Sequence, residues 1–168
     1  MNTAVASIPR VLFVDDDPNV LEGLKRTLHP MSKVWALEFV TSADAAITLL
    51  RSNPVDIIVS DMKMAKMDGA ALLRQVNAEY PDIVRMILSG LADQDSILTS
   101  VGTIHQFLEK PCDASTLKTA LTRVIRLRKL IHDKNVRSIV TGIESLPPMP
   151  EAYRKLKIEL ARAVFICP

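Results

Sequence analysis

Val11-Leu12-Phe13-Val14-Asp15-Asp16-Asp17-Pro18 runs from four apolar residues straight into three acids and a proline. The apolar quartet has the length and β-branching of a buried strand. Asp17 then suits a helix N-cap with Pro18 at the first helical position, and Leu21, Leu24 and Leu28 continue one helical face until Pro30. Strand, acidic turn and helix within twenty residues is the opening of an alternating α/β chain.

Similar runs recur at Val34 to Val40, Val55 to Ser60, Ile83 to Leu88 and Ile104 to Leu108, with starts 21 to 28 residues apart. That spacing leaves room for one helix in each gap. Ala46, Ile47 and Leu50 mark the second helix, Leu72, Leu73, Val76 and Tyr80 the third, and Ile97 and Val101 a short polar fourth. A longer one starts at Asp113 and carries Leu117, Leu121, Val124, Leu127 or Arg128, and Ile131. The expected fold class is α/β: a doubly wound, five-stranded parallel sheet in the order 2-1-3-4-5, with a helical C-terminal extension.

Such sheets place their chemistry at the carboxyl ends of the strands. The first run ends in Asp15-Asp16, the third in Asp61, the fourth in Ser89 and the fifth in Lys110-Pro111. In the order 2-1-3-4-5 the first and third strands are neighbours, so three carboxylates converge. They repel by about 4 kcal/mol per pair at ~4 Å and an effective dielectric of about 20, so a cation belongs there. Oxygen donors without His or Cys suit a hard divalent ion, Mg²⁺ above others. A metal, carboxylate, hydroxyl and lysine together suit phosphoryl transfer, with Asp61, at the open end of a buried strand, as nucleophile.

Four motifs then resemble the receiver domain of two-component response regulators. They are Val11 to Pro18, Asp61-Met62-Lys63-Met64-Ala65-Lys66-Met67-Asp68-Gly69, Met86-Ile87-Leu88-Ser89-Gly90 and Phe107-Leu108-Glu109-Lys110-Pro111. The resemblance implies a flavodoxin-like fold over residues 10–132 and a phosphorylation-activated switch. Asp61 would accept phosphate from a sensor histidine kinase, with Mg²⁺ bound by Asp16, Asp61 and the Lys63 backbone carbonyl and by Asp15 through water. Ser89 would hydrogen-bond the phosphoryl group, Lys110 would pair with its oxygens, and Phe107 would turn inward on activation. The protein would be no turnover enzyme, only a switch that phosphorylates itself and loses phosphate slowly. Ala65 stands where the family usually has proline, which implies a more mobile loop.

A competing reading is a haloacid-dehalogenase-like Mg²⁺-dependent phosphatase using Asp15, because Asp15-x-Asp17, Ser89 and Lys110 loosely mimic that family. Glu109-Lys110-Pro111-Cys112-Asp113 lacks the acidic pair such an enzyme needs after its lysine. Cys112 could be redox-active beside a cation, but an unpartnered thiol is usually inert.

The net charge of +2 conceals an uneven distribution. Residues 1–112 hold 10 Lys and Arg against 14 Asp and Glu, and residues 113–168 hold 11 against 5. The basic half shows no helix-turn-helix pattern or interleaved aromatics, so direct nucleic-acid binding is not expected. Ile143-Glu144-Ser145-Leu146-Pro147-Pro148-Met149-Pro150 and the following Glu151 to Leu156 resemble the opening of an HDOD output domain. Residues 133–168 are therefore expected to be a helical linker and the truncated start of such a module. His132-Asp133 reads as a polar helix end. The apolar stripes Val136, Ile139, Val140, Ile143 and Tyr153, Leu156, Leu160, Val164 would pair in a homodimer through the C-terminal helices. Residues 1–9 form a tail without a secretory signal, and no run is long enough to cross a bilayer, so the expected location is cytoplasmic.

Overall fold

The computed structural model describes residues 8–90 and 103–131, the last five as backbone only. Its elements alternate: β1 Arg10–Val14, α1 Pro18–Leu28, a 3-10 turn His29–Met31, β2 Ala36–Val40, α2 Ala43–Ser52, β3 Ile57–Asp61, α3 Gly69–Glu79, β4 Val84–Ser89, β5 Gln106–Glu109 and α4 Ala114–Ile131. The five strands form one sheet in the order β2-β1-β3-β4-β5. Each neighbouring pair is parallel. This is the doubly wound sheet that the alternating runs predict, in the flavodoxin-like order that the receiver resemblance implies.

Strand parity sorts the side chains into two cores. Leu12, Val14, Ile58 and Ile87 pack with Ala46, Leu50, Leu72, Leu73 and Val76 of α2 and α3. Val11, Phe13, Ile57, Val59, Met86 and Leu88 pack with Leu21 and Leu28 of α1 and Leu117, Leu121 and Ile125 of α4. Every residue of β3 is buried, as befits the central strand. The sole tryptophan, Trp35, is buried just before β2 in the second core. Phe13 and Phe39 stack at 5.1 Å on neighbouring strands, and the Lys25 ammonium lies 5.6 Å from the Phe39 ring centre.

Helix starts follow their caps. Asp17, Ser42 and Asp68 each accept a backbone N–H from the first turn of α1, α2 and α3. Asp113 does the same for α4, taking the N–H groups of Ser115 and Thr116 and the Thr116 hydroxyl, which hold its carboxyl well below the usual range.

The boundaries differ from the sequence reading at specific residues. Val34 lies outside β2 and is half-exposed, because its N–H and that of Trp35 turn back to the Met31 carbonyl. Val55 is buried but precedes β3, where Asp56 instead takes the Arg10 N–H on its carboxylate at 2.7 Å. Pro30 does not stop the chain's helical course: it sits early in the 3-10 turn, where its missing N–H costs no bond. Tyr80 caps α3 rather than belonging to it. The expected fourth helix around Ile97 and Val101 lies outside the described residues, as do the HDOD-like opening, the pairing stripes and His132-Asp133. The chain divides into two units, Met1–Ile125 and Arg126–Pro168, and all site residues below belong to the first. No helix among the described residues is long and apolar enough to cross a membrane.

Candidate functional site

The registers Val14↔Ser60 and Asp61↔Leu88 bring the carboxyl ends of β1, β3 and β4 level with one another. Asp15 continues the parity of Val11 and Phe13, Asp61 that of Ile57 and Val59, and Lys110 that of Leu108. These three meet: the Lys110 Nζ donates to Asp15 Oδ2 at 2.9 Å and to Asp61 Oδ1 at 2.8 Å. The remaining Asp15 oxygen, Oδ1, accepts the Asp17 N–H at 3.0 Å. Lys110 is held in turn by its own N–H to the Ser89 carbonyl at 2.7 Å, and the Lys110–Pro111 peptide is cis.

Asp16, exposed at the start of the loop, points its Oδ2 at the Ala65 N–H, 2.8 Å away. Carboxylate oxygens of Asp15, Asp16 and Asp61 all lie within 4.8 Å of one another. Three carboxylates and one ammonium leave two negative charges in an all-oxygen cluster, which fits a hard divalent ion such as Mg²⁺. The lysine thus supplies part of the counter-charge that the sequence argument assigned to metal alone.

Burial raises the Asp61 carboxyl above its ordinary range, with the hydrogen bond and charge of Lys110 opposing and Asp15 adding to the rise. For Lys110, burial pulls downward, but hydrogen bonds to Asp61 and Asp15 outweigh it and hold the ammonium above the ordinary lysine value. Asp61 is therefore a desolvated carboxylate steadied by a single cation. Ser89, last in β4, is almost wholly buried, and its hydroxyl has no hydrogen-bond partner among the described residues. Phe107 shares that parity and is half-buried against the α2–α3 core. Lys63, two residues past Asp61, has an exposed side chain. Cys112 is free and half-buried, and burial with Asp113 nearby raises its thiol, which fits the inert reading.

The loop from Met62 to Asp68 is tied rather than loose. The Met62 N–H bonds the Leu88 carbonyl at 3.0 Å, the Gly69 N–H bonds the Met62 carbonyl at 2.9 Å, and Ala65 reaches Asp16. Alanine in place of proline supplies the N–H that makes the third tie, so the departure expected to free the loop instead adds a bond.

Three features escaped the sequence reading. Gly69 approaches β3 so closely that a Cβ there would stand 2.0 Å from the Asp61 carbonyl oxygen. A glycine at the first helical position, directly after a capping Asp68, was the available signal. Arg85 is buried at the amino end of β4, donating from Nε to Thr103 O at 2.7 Å and from Nη1 to Ile83 O at 2.7 Å and Pro81 O at 3.1 Å. Beside it the His105 Nδ1 accepts the Arg85 N–H at 2.9 Å, extending the β4–β5 ladder by a side chain.

The phosphatase reading finds no support. Both Asp15 oxygens are taken, and Asp17, its second acid, serves as the α1 cap through a 2.8 Å bond from Asn19.

Comparison with known proteins agrees with the geometry. The response regulator receiver domain family matches residues 11–122. The hydrogenase transcriptional regulatory protein HoxA of Cupriavidus necator is 37% identical over 103 residues, covering 60% of this chain and 21% of that protein. The C4-dicarboxylate transport transcriptional regulatory protein DctD of Pseudomonas aeruginosa is 31% identical over 124 residues, 73% of this chain and 26% of that protein. The chain thus spans about a fifth to a quarter of these curated relatives. Among solved structures, the signal receiver domain of an HD domain-containing protein from Pseudomonas fluorescens Pf-5 superposes with a TM-score of 0.66 at 30% identity, over 73% of this chain and 98% of that one. Because the family covers most of the chain, and the sheet order and strand-end groups agree with it, this protein belongs to the response regulator receiver domains.

Proposed function

We propose that Asp61 is the phosphoacceptor of a two-component switch. The observation that carries this is the Lys110 ammonium, 2.8 Å from a partly desolvated Asp61 carboxylate at the open end of a buried strand. In the transfer, an Asp61 oxygen attacks the phosphorus of a phosphohistidine on a sensor histidine kinase. The P–N bond breaks, the O–P bond forms, and the departing imidazole takes its proton from solvent. Lys110 and the Ser89 hydroxyl meet the phosphoryl oxygens, where fixed donors stabilise the charge spreading onto them. Asp16, Asp61 and the Lys63 carbonyl, with Asp15 through water, would hold Mg²⁺, which would supply charge neutralisation between carboxylates and phosphoryl group.

Phosphorylation then shifts a two-state equilibrium. Ser89 moves towards the phosphoryl oxygens, and the half-buried Phe107, on the same parity, turns inward. The output is a switched module or partner, not turnover of a substrate. An HDOD-like module fits the resemblance at Ile143 to Leu156, and the Pseudomonas fluorescens structure named above is a receiver from an HD domain-containing protein.

Acetyl phosphate with Mg²⁺ tests the assignment. The wild type should gain one phosphoryl group at Asp61, and Asp61→Asn should gain none while keeping its far-UV spectrum. Undiminished labelling of Asp61→Asn, or a phosphoryl group mapped to Asp15, would sink the reading.

A further inference from the structure

Two carboxylates of the acidic cluster share a fixing cation. Asp15 is held by Lys110 and the Asp17 N–H, and Asp61 by Lys110. Asp16 differs, for it alone of the three is exposed. Among the described residues, one hydrogen bond orients its side chain, the 2.8 Å bond from the Ala65 N–H across 49 positions of sequence. Made with that bond in place, the cluster still has oxygens of all three acids within 4.8 Å of one another. The bond is therefore compatible with a cation site and holds its loosest member in position.

We infer that the Ala65 backbone N–H is a positioning donor for the divalent-cation site, orienting the Asp16 carboxylate towards Asp15 and Asp61. This rests on the Mg²⁺ reading above. An exposed carboxylate with free side-chain torsions must be ordered when an ion arrives, whereas one already bonded to the loop is ordered beforehand. A charge-assisted N–H to carboxylate bond is stronger than a neutral one and suits that task. The same bond makes cation occupancy and the β3–α3 loop interdependent, because Asp16 belongs to both. Alanine is needed here for what its backbone retains, not for its methyl group; any residue except proline offers the same donor.

The experiment titrates Mg²⁺ alone into the full chain by calorimetry, for wild type, Ala65→Pro and Ala65→Ser. Ala65→Pro should bind about 10-fold more weakly, the lower end of what loss of a ligand's outer partner costs. Ala65→Ser, which keeps the N–H, should stay within about twofold of wild type. Equal affinity of Ala65→Pro and wild type overturns the inference, and so does Ala65→Ser falling as far as Ala65→Pro. Proline also restricts Met64 before it, so a second measurement separates donor loss from loop damage. In the metal-free wild type the Ala65 amide proton should resonate downfield and return towards the random-coil position in Asp16→Ala. An amide unmoved by Asp16→Ala overturns the inference whatever Ala65→Pro does. Absence of Mg²⁺ binding by the wild type removes the metal reading itself and the inference with it.

Discussion

Gly69→Ala should be among the most damaging single-methyl additions in this domain. The added Cβ would stand 2.0 Å from the Asp61 carbonyl oxygen and 2.9 Å from both the Asp61 carbonyl carbon and the Ser60 Oγ. Ordinary contact between carbon and oxygen lies near 3.4 Å, so the start of α3 and the end of β3 must separate by more than an ångström. The obstacle is backbone, which cannot swing aside as a long side chain would. Separation stretches the Gly69 N–H to Met62 O bond and disturbs the Ser60 Oγ to Asp61 O bond, each 2.9 Å now. Overpacking of this kind costs about 1–3 kcal/mol, and each weakened bond about 1 kcal/mol. Alanine's better helix propensity returns up to ~1 kcal/mol. The net loss is about 2–4 kcal/mol, a large share of the roughly 5–15 kcal/mol that holds a domain folded. Urea unfolding followed by far-UV circular dichroism measures it, and acetyl phosphate labelling of the same sample should be slowed because the clash displaces Asp61 itself. A variant within about 0.5 kcal/mol of wild type, the ordinary range for surface substitutions, and labelled at the same rate would refute the close-approach argument.

Arg85→Met should fill the volume of the aliphatic stem yet leave the Thr103, Ile83 and Pro81 carbonyls without their donor, lowering stability by about 1–3 kcal/mol in urea; Arg85→Lys should recover only part, since one ammonium cannot reproduce the guanidinium fork. Partial desolvation of the otherwise exposed ring, together with the Arg85 guanidinium, lowers the His105 pKa below its ordinary 6.5, so the folded state binds a proton less readily than the unfolded one. His105 thus contributes stability above the unfolded pKa that is lost as pH falls through the folded value; His105→Asn, which keeps an acceptor near Nδ1 but cannot titrate, should match wild type at pH 7.5 and lose less stability on going to pH 5, as chemical denaturation at the two pH values will show. We also propose that the C-terminal stripes pair two copies of the chain: light scattering should give a dimer for residues 1–168 and a monomer for a chain ending near His132, and a monomeric full chain defeats the idea.

Much of this molecule was readable because strand ends and strand parity are written in order along the chain. Asp15, Asp61, Ser89 and Lys110 each stand at or just past the end of a strand-like run, so the sheet order brings them to one edge. The Phe13, Val59 and Leu108 faces then tell which of them meet. The groups that escaped are those whose partners are backbone atoms remote in sequence. Arg85 sits inside an apolar run and reads as a lone charge until the Thr103 carbonyl is placed beside it. Ala65 reads as a missing proline, and nothing local announces that its N–H finds Asp16. Val34 and Val55 carry strand-like side chains but lie outside the strands, because Met31 and Arg10 claim the backbone or carboxylate groups around them. Composition records side chains, and these decisions were made by main-chain donors and acceptors.

The position of Trp35 has an optical consequence. It is the single indole in the chain and is buried beside β2, where Ala36 pairs with Arg10 at the amino edge of the sheet. A five-residue strand at about 3.3 Å per residue separates that edge from Asp15 by about 15 Å. Its emission should therefore report loss of the core while staying nearly silent to what happens at the acidic edge. Denaturation can thus be followed by fluorescence in the very cuvette where phosphodonor and metal are varied, without either reagent distorting the signal.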